Sequence, residues 1–356
     1  MLFFKLFFCC KITRGVCRSI IIDTQRGTNE TIPNDLVDFL EKFEGTSLDN
    51  ILNLFDIENR NTLQGYFDFL INSEYGFWCD SLEEFFNFPE IENKWESPYQ
   101  ITNAILDVGN DPKIDYFDII EDIKKIAIPH VQIRSAIIRD FSFYEKLINS
   151  IETSRISSVE LIIPYTHDEP PLNYLKKFIR RNLRINKIIF HSSPYVKKIT
   201  IIENLSNICY TKDVFNSAKD CGKISLKNFV LNSDHYYESQ DYNSCLNRKI
   251  SIDINGEIKN CPSLKHSFGN IKEISLLEII KTYDITKLWI IDKSKIEVCN
   301  DCEFRHICTD CRAFLKVENN ILSQPLKCNY NPYIAKWKGE KGYLTVENWR
   351  KNNNHE

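Results

Sequence analysis

Near its C-terminal end the chain reads Cys299-Asn300-Asp301-Cys302-Glu303-Phe304-Arg305-His306-Ile307-Cys308-Thr309-Asp310-Cys311, two C-x2-C pairs only five residues apart. A hydrophobic core needs no such spacing, whereas soft metal centres are built from it. Cys328 follows seventeen residues after Cys311, and Cys245 and Cys261 stand upstream. These seven cysteines are the candidate metal ligands, for iron–sulfur clusters or for zinc. A zinc ribbon usually separates its pairs by roughly 15–20 residues, more than this stretch allows. Seven sulfurs also fit two neighbouring sites better than one tetrahedral ion, so iron–sulfur is the leading reading and zinc the alternative. His306 reads as a neighbour of the ligands or a surface residue.

The rest of the chain sets the context for that module. With 356 residues it can support two or three cores. Its net charge of -4 and pI near 6.1 exclude a general nucleic-acid binder, which needs a basic face. Thirteen cysteines in a small secreted domain would mean disulfides, but this chain is long and opens without a persuasive export signal. Met1-Leu2-Phe3-Phe4-Lys5-Leu6-Phe7-Phe8 is short, interrupted by a lysine, and followed by no small-residue cleavage site. It reads as a buried first strand. No apolar run approaches the roughly 20 residues that span a bilayer. The expectation is a cytoplasmic protein with no membrane partner, in which clustered cysteines mean metal.

Residues 1–95 read as a small winged-helix-like unit. Arg18 to Asp23 is a β-branched strand, followed by a polar turn at Arg26-Gly27-Thr28-Asn29. Helical periods follow over Leu36 to Phe43, Ser47 to Phe55 and Leu63 to Ile71, and Gly76 closes the unit. This order resembles the precursor-recognition domains of peptide-modifying systems, related to the PQQ-biosynthesis chaperone. The resemblance implies that a leader peptide adds as a strand to a sheet edge. A structural cap is the plain alternative. DNA binding is disfavoured because Leu63 to Ile71 carries Asp68 and no Lys or Arg. Cys9, Cys10, Cys17 and Cys79 read as small buried hydrophobes.

After a linker from Pro89 to Pro98, residues 97–235 alternate strands and helices about every 28 residues. Strands are expected at Ile101–Val108, His130–Arg134, Val159–Pro164, Lys187–His191, Ile199–Ile202 and Asn228–Leu231. Helices are expected at Tyr116–Ile126, Phe143–Ile151 and Leu172–Arg181. The fold class is therefore α/β, a partial (β/α)6 barrel. Loops after the strands offer Asp107, Arg134, the turn Tyr165 to Glu169, and His191-Ser192-Ser193. The charged turn reads as solvated surface and His191 as a satisfied core residue. There is no P-loop, dinucleotide fingerprint or nucleophile elbow, and no catalytic residue is assigned.

Residues 236–340 form the cysteine module, and 341–356 a tail. Asn255-Gly256 predicts a two-residue hairpin turn, with Cys245 and Cys261 at the two ends of the hairpin. Gly256-x4-Cys261, then C-x2-C-x5-C, Cys311 and Cys328 resemble the SPASM domain, the C-terminal extension of radical S-adenosylmethionine peptide-modifying enzymes. Cys302-Glu303-Phe304-Arg305, Cys308-Thr309-Asp310-Cys311 and the N-terminal Cys10 to Arg26 segment look like the maturases of "grasp-with-spasm" ribosomal peptide systems. The resemblance implies a degenerate radical-SAM-like barrel, a ribosomal precursor peptide as substrate and an ATP-grasp ligase as partner. It assigns one [4Fe-4S] cluster to Cys299, Cys302, Cys308 and Cys328, and a second to Cys245, Cys261 and Cys311. Asp241, a distant cysteine such as Cys221, or substrate could complete the second set, and degeneration to three ligands is the plain alternative.

The sequence departs from that family in two places. Cys308 and Cys311 are separated by two residues, not three. The C-x3-C-x2-C of the first barrel loop is also missing, where Val108-Gly109-Asn110-Asp111-Pro112-Lys113 stands, and Ile133-Arg134-Ser135-Ala136 replaces the cosubstrate motif. The sequence therefore offers no site for S-adenosylmethionine. A maturation protein carrying clusters is the first reading, and a non-enzymatic metal-stabilised adaptor the second.

Overall fold

A computed structural model describes residues 1–89, 94–215 and 221–353. Part of the expected linker (90–93) and the end of the tail (354–356) lie outside these residues.

The N-terminal unit contains β1 (Phe3–Leu6), β2 (Cys10–Arg14), β3 (Ser19–Asp23), β4 (Thr28–Ile32), α1 (Asn34–Lys42), α2 (Leu48–Asn53), α3 (Ile57–Asn72), β5 (Gly76–Cys79) and α4 (Leu82–Phe86). Strands β2, β3 and β4 form an antiparallel sheet, and β1 pairs antiparallel with β5. Each helix sits where its apolar period is. Ser47 caps α2 and Asp56 caps α3, each accepting a backbone N–H three residues on. Helix α3 starts earlier than its apolar period and so includes Arg60, which is tied to the Phe55 carbonyl at 2.9 Å. The expected buried first strand is only partly so: Phe3 is buried, while Phe7 and Phe8 are exposed beyond the end of β1.

Every residue of β3 is buried, because the strand serves two cores. With side chains alternating across a strand, Ile21 packs with Leu36, Phe67 and Leu70, while Ile20 and Ile22 pack with Tyr236, Phe304, Ile307, Cys308 and Tyr330 of the cysteine module.

The central layer contains β6 (Asn103–Val108), α5 (Tyr116–Ile126), β7 (His130–Ser135), α6 (Phe141–Ser150), β8 (Ser158–Pro164), α7 (Leu172–Arg181), β9 (Ile185–His191), β10 (Lys197–Ile202) and β11 (Ser206–Tyr210). Then come α8 (Ser233–Asp241), β12 (Lys249–Ile252), β13 (Glu257–Lys259), β14 (Gly269–Asn270), α9 (Leu276–Thr282), β15 (Tyr330–Asn331), β16 (Lys336–Trp337) and α10 (Val346–Asn352). One mixed, mostly parallel nine-stranded sheet runs in the order β10-β11-β9-β8-β7-β6-β12-β13-β14. Helix α5 shows why the βα units form: Asp115 caps it, Ile119, Ile120 and Ile123 face the sheet, and Ala127 ends it in the left-handed region at φ 63°.

The sheet departs from the expected six units. Asn228–Leu231 is not a strand; Leu226–Asn228 is a 3-10 turn, and the Val230 N–H bonds the Ile307 carbonyl at 2.8 Å. Lys197–Ile202 is a strand, but it runs antiparallel in a hairpin with β11. The mixed polar run Ser206 to Tyr210, which carries little β signal, pairs parallel with β9. On the other flank β12 of the cysteine module pairs parallel with β6. A hairpin of the module thus continues the barrel sheet, with its turn toward the end of β6 and Cys261 toward the start of β6.

Candidate metal centre

The dense cysteine stretch has little regular structure and is organised by turns and buried polar clasps. The Cys302 N–H bonds the Cys299 carbonyl, and the Cys308 N–H bonds that of Phe304. On either side of Cys311, Asp310 and Arg312 form an ion pair with side chains 1% and 0% exposed. Arg312 also donates to the carbonyls of Ile321 and Ser323 at 2.8 Å, and Asn243 donates to Asp310 at 2.6 Å. Every charge in the clasp has a partner, which is the condition for burying it.

Cys299, Cys302, Cys308 and Cys328 line one apolar cavity of about 30 Å³ together with Ile224, Phe229, Phe304, Tyr330 and Trp337. The sequence expectation of one four-cysteine set therefore corresponds to one place. Burial pushes the Cys308 thiol up to about 12, and Cys299 and Cys302 well above the usual thiol range. Thiolates are not stable in such surroundings without a cation, and a metal centre supplies one. Lys293 also lines the cavity, is 4% exposed, and donates its ammonium to the Cys308 carbonyl. His306 is not among the lining residues; its ring meets Tyr236 at 5.4 Å and its Nδ1 lies 3.2 Å from Ser239 Oγ.

Cys245, Cys261 and Cys311 form the second group, and Cys221 joins them. Desolvation pushes Cys245 up to about 12, with the fields of Cys311 and Cys221 adding to it. The Cys261 and Cys221 thiols are coupled, which raises the first and, with Ser263 3.0 Å away, lowers the second to about 6. Among the described residues no three of these sulfurs, in either group, lie within 4.8 Å of one another. Zinc with bonds of about 2.3 Å holds its sulfurs about 3.8 Å apart. The one close set is elsewhere, Cys9, Cys10 and Asp23, and there the Asp23 carboxylate is engaged by the Gln25 and Arg26 N–H groups.

The hairpin carrying Cys245 and Cys261 turns through three residues, not two. Asp253 pairs with Glu257, and its carboxylate accepts the N–H groups of Asn255 and Glu257 at 2.9 and 3.0 Å. Gly256 takes φ +85°, where a Cβ would stand 2.9 Å from Asn270 Oδ1. The Asn-Gly signal is a type I turn followed by a left-handed residue, a longer loop stabilised by Asp253.

A buried ion pair stands near the ends of the first two central strands. Asp107 and Arg134, side by side in β6 and β7, form a two-bond ion pair at 2.6 and 2.8 Å with both side chains 6% exposed. At Gly109 a Cβ would stand 2.7 Å from the Ile254 carbonyl, so the hairpin turn abuts the first barrel loop. His191 is buried against the Ser135 carbonyl at 2.9 Å, while His167 and Asp168 are exposed.

A groove of about 930 Å³ runs along β1 and β2, lined by Phe4, Leu6, Phe7, Phe8, Lys11, Phe39, Phe43 and Phe88 among others. Among the described residues β2 pairs only with β3, so one of its edges carries no strand partner. The loop between β2 and β3 docks on the cysteine stretch: Arg18 donates to buried Glu303 at 2.8 Å, and the Val16 N–H to the Asp301 carbonyl. At Gly15 a Cβ would meet the Glu303 backbone nitrogen at 2.8 Å. The sequence assigns Arg18 no role, because its partner lies 285 residues away.

This cysteine pattern has a counterpart among known families. Residues 244–303 match the SPASM iron–sulfur cluster-binding domain. The SPASM match includes Cys245, Cys261, Cys299 and Cys302, while Cys308, Cys311 and Cys328 follow it. No curated protein matches the chain. Among solved structures it overlaps SuiB of Streptococcus suis bound to S-adenosylmethionine at 12% identity and a TM-score of 0.34, covering 91% of this chain and 99% of SuiB. SuiB bound to its precursor peptide SuiA gives 12% identity and 0.35, covering 91% and 98%. Overlap this loose transfers neither fold nor chemistry. No helix among the described residues is long and apolar enough to cross a membrane.

Proposed function

We propose that the chain is a peptide-maturation protein of a grasp-with-spasm ribosomal peptide system. In this reading it binds a precursor peptide and carries [4Fe-4S] clusters in its SPASM module, working with an ATP-grasp ligase. The observation that carries the proposal is the convergence of Cys299, Cys302, Cys308 and Cys328 on one apolar cavity, in a module whose first part matches an iron–sulfur domain. Sulfurs spaced more widely than tetrahedral zinc holds them favour a cluster over a single ion. Cys299, Cys302, Cys308 and Cys328 would hold the first cluster, and Cys245, Cys261 and Cys311 would belong to the second. Such clusters supply one-electron transfer or, at an iron without a protein ligand, a Lewis acid.

The chain's own residues set the surroundings. Lys293 places a buried cation beside the first site, and the aromatic wall of Phe304, Tyr330 and Trp337 excludes water from it. The leader would lie in the N-terminal groove, adding to the open edge of β2 with its apolar side chains among the phenylalanines.

The adaptor reading has its own support in Asp107 and Arg134, which near the ends of β6 and β7 are engaged with each other in a buried ion pair. In that reading the clusters staple the fold, and bond formation belongs to the ligase. Anaerobic production followed by iron, sulfide and S-adenosylmethionine-cleavage assays separates the possibilities. The maturase proposal expects iron and sulfide in equal amounts, together with binding of a precursor peptide encoded beside the gene. Stoichiometric zinc without sulfide would sink the cluster reading, and clusters without peptide binding would sink the maturation reading.

A further inference from the structure

We infer that Cys221 is the fourth thiolate of the second centre, which makes that centre a closed four-cysteine site built across the junction of barrel and SPASM module. The assignment rests on the iron–sulfur reading of the module. Three independent features lead to it.

The first is proximity. The Cys221 thiol lies 3.0 Å from Oγ of Ser263, two residues after Cys261, and the next residue, Gly222, lies against Cys311. The second is how closely the backbone approaches. Gly222 takes φ +75°, and a Cβ built there would stand 2.8 Å from Cys311 Sγ. A chain passing this near to a ligand sulfur tolerates only glycine. The third is a pair of fastenings: Lys327 donates to the Cys221 carbonyl at 2.5 Å, and Ser263, two residues after Cys261, lies 3.0 Å from the Cys221 sulfur. The segment is thus tied both to the hairpin arm and to the residue before Cys328.

The other candidates for the place do not fit as well. Asp241 ends α8 and is itself exposed. Cys209 points its thiol at Asn207 at 3.1 Å. A substrate ligand is unnecessary once a fourth sulfur is present. With four thiolates, no iron in the second centre is left to dock a substrate. Its role is that of a relay or a staple at the domain junction.

The test uses the full chain produced anaerobically, with Cys221→Ala, Cys221→Ser, Gly222→Ala and Cys209→Ala as variants. The wild type is expected to hold roughly eight irons, as two [4Fe-4S] clusters, and to show no spectral change on adding cyanide. Cys221→Ala is expected either to lose about half of its iron or to give the EPR signal of a three-iron cluster on oxidation. Cys221→Ser should keep iron with an altered spectrum, and Gly222→Ala should lose iron from the same centre. Cys209→Ala should match the wild type. Two clusters in the wild type with Cys221→Ala and Cys221→Ser indistinguishable from it, or a wild type that binds cyanide, would overturn this assignment alone. A wild type without clusters would overturn the underlying iron–sulfur reading as well.

Discussion

Lys293 is the residue whose position carries most information about the first site. A buried ammonium is costly unless negative charge offsets it, and the groups around it are cysteines, Asp310 and the Cys308 carbonyl. Thiolate-ligated clusters are anionic, so this cation stabilises the reduced form. Lys293→Met is therefore expected to lower the cluster's midpoint potential with iron content retained, as measured by redox titration followed by EPR. An unchanged potential would separate the lysine from the site. Asp310 is the second informative residue. Removing it in Asp310→Ala leaves Arg312 charged and buried without its partner, which costs about 3–5 kcal/mol. Urea unfolding of the iron-loaded protein should show that loss, with a smaller one for Asp310→Asn, which keeps a hydrogen-bond acceptor.

At the scale of elements, β3 connects the N-terminal unit to the cysteine module. Its two faces can be tested separately, since Ile21 belongs to one core and Ile20 and Ile22 to the other. Ile21→Ala and Ile20→Ala should each destabilise by about 2–5 kcal/mol. Only Ile20→Ala should also speed the loss of iron to a chelator, because only that side chain packs with Phe304, Ile307 and Cys308. Equal chelation rates in the two variants would mean that the strand does not support the cluster. The hairpin β12–β13 plays the matching role on the other side, joining the SPASM module to the barrel sheet through the β12–β6 ladder.

At the scale of the whole molecule, these two junctions make the metal module the hub of the fold. Binding energy at the metal is folding energy for whatever the ligands hold together. Removing the clusters should therefore loosen more than the C-terminal third. In hydrogen exchange, amides of Ile20 and Ile22 and of residues 299–311 are expected to lose protection on iron removal. Those of β7, β8 and α7, which belong to the barrel core, should keep theirs. Loss confined to residues 299–311 would show the N-terminal unit to be independently stable.

Much of this was legible in the chain itself. Tyr116–Ile126 and Leu172–Arg181 are helices over the ranges their periods predict, because amphipathic spacing is a local property. The grouping of Cys299, Cys302, Cys308 and Cys328 was implied by family resemblance, and the structure lines one cavity with them. Four features were decided only in three dimensions: the entry of β12 into the barrel sheet, the double duty of β3, the Arg18–Glu303 bond and the place of Cys221 beside Cys261. Each joins residues far apart along the chain or depends on which face of a strand meets which core. Local pattern says that a strand or a thiol exists, and only the packed chain says what stands opposite it.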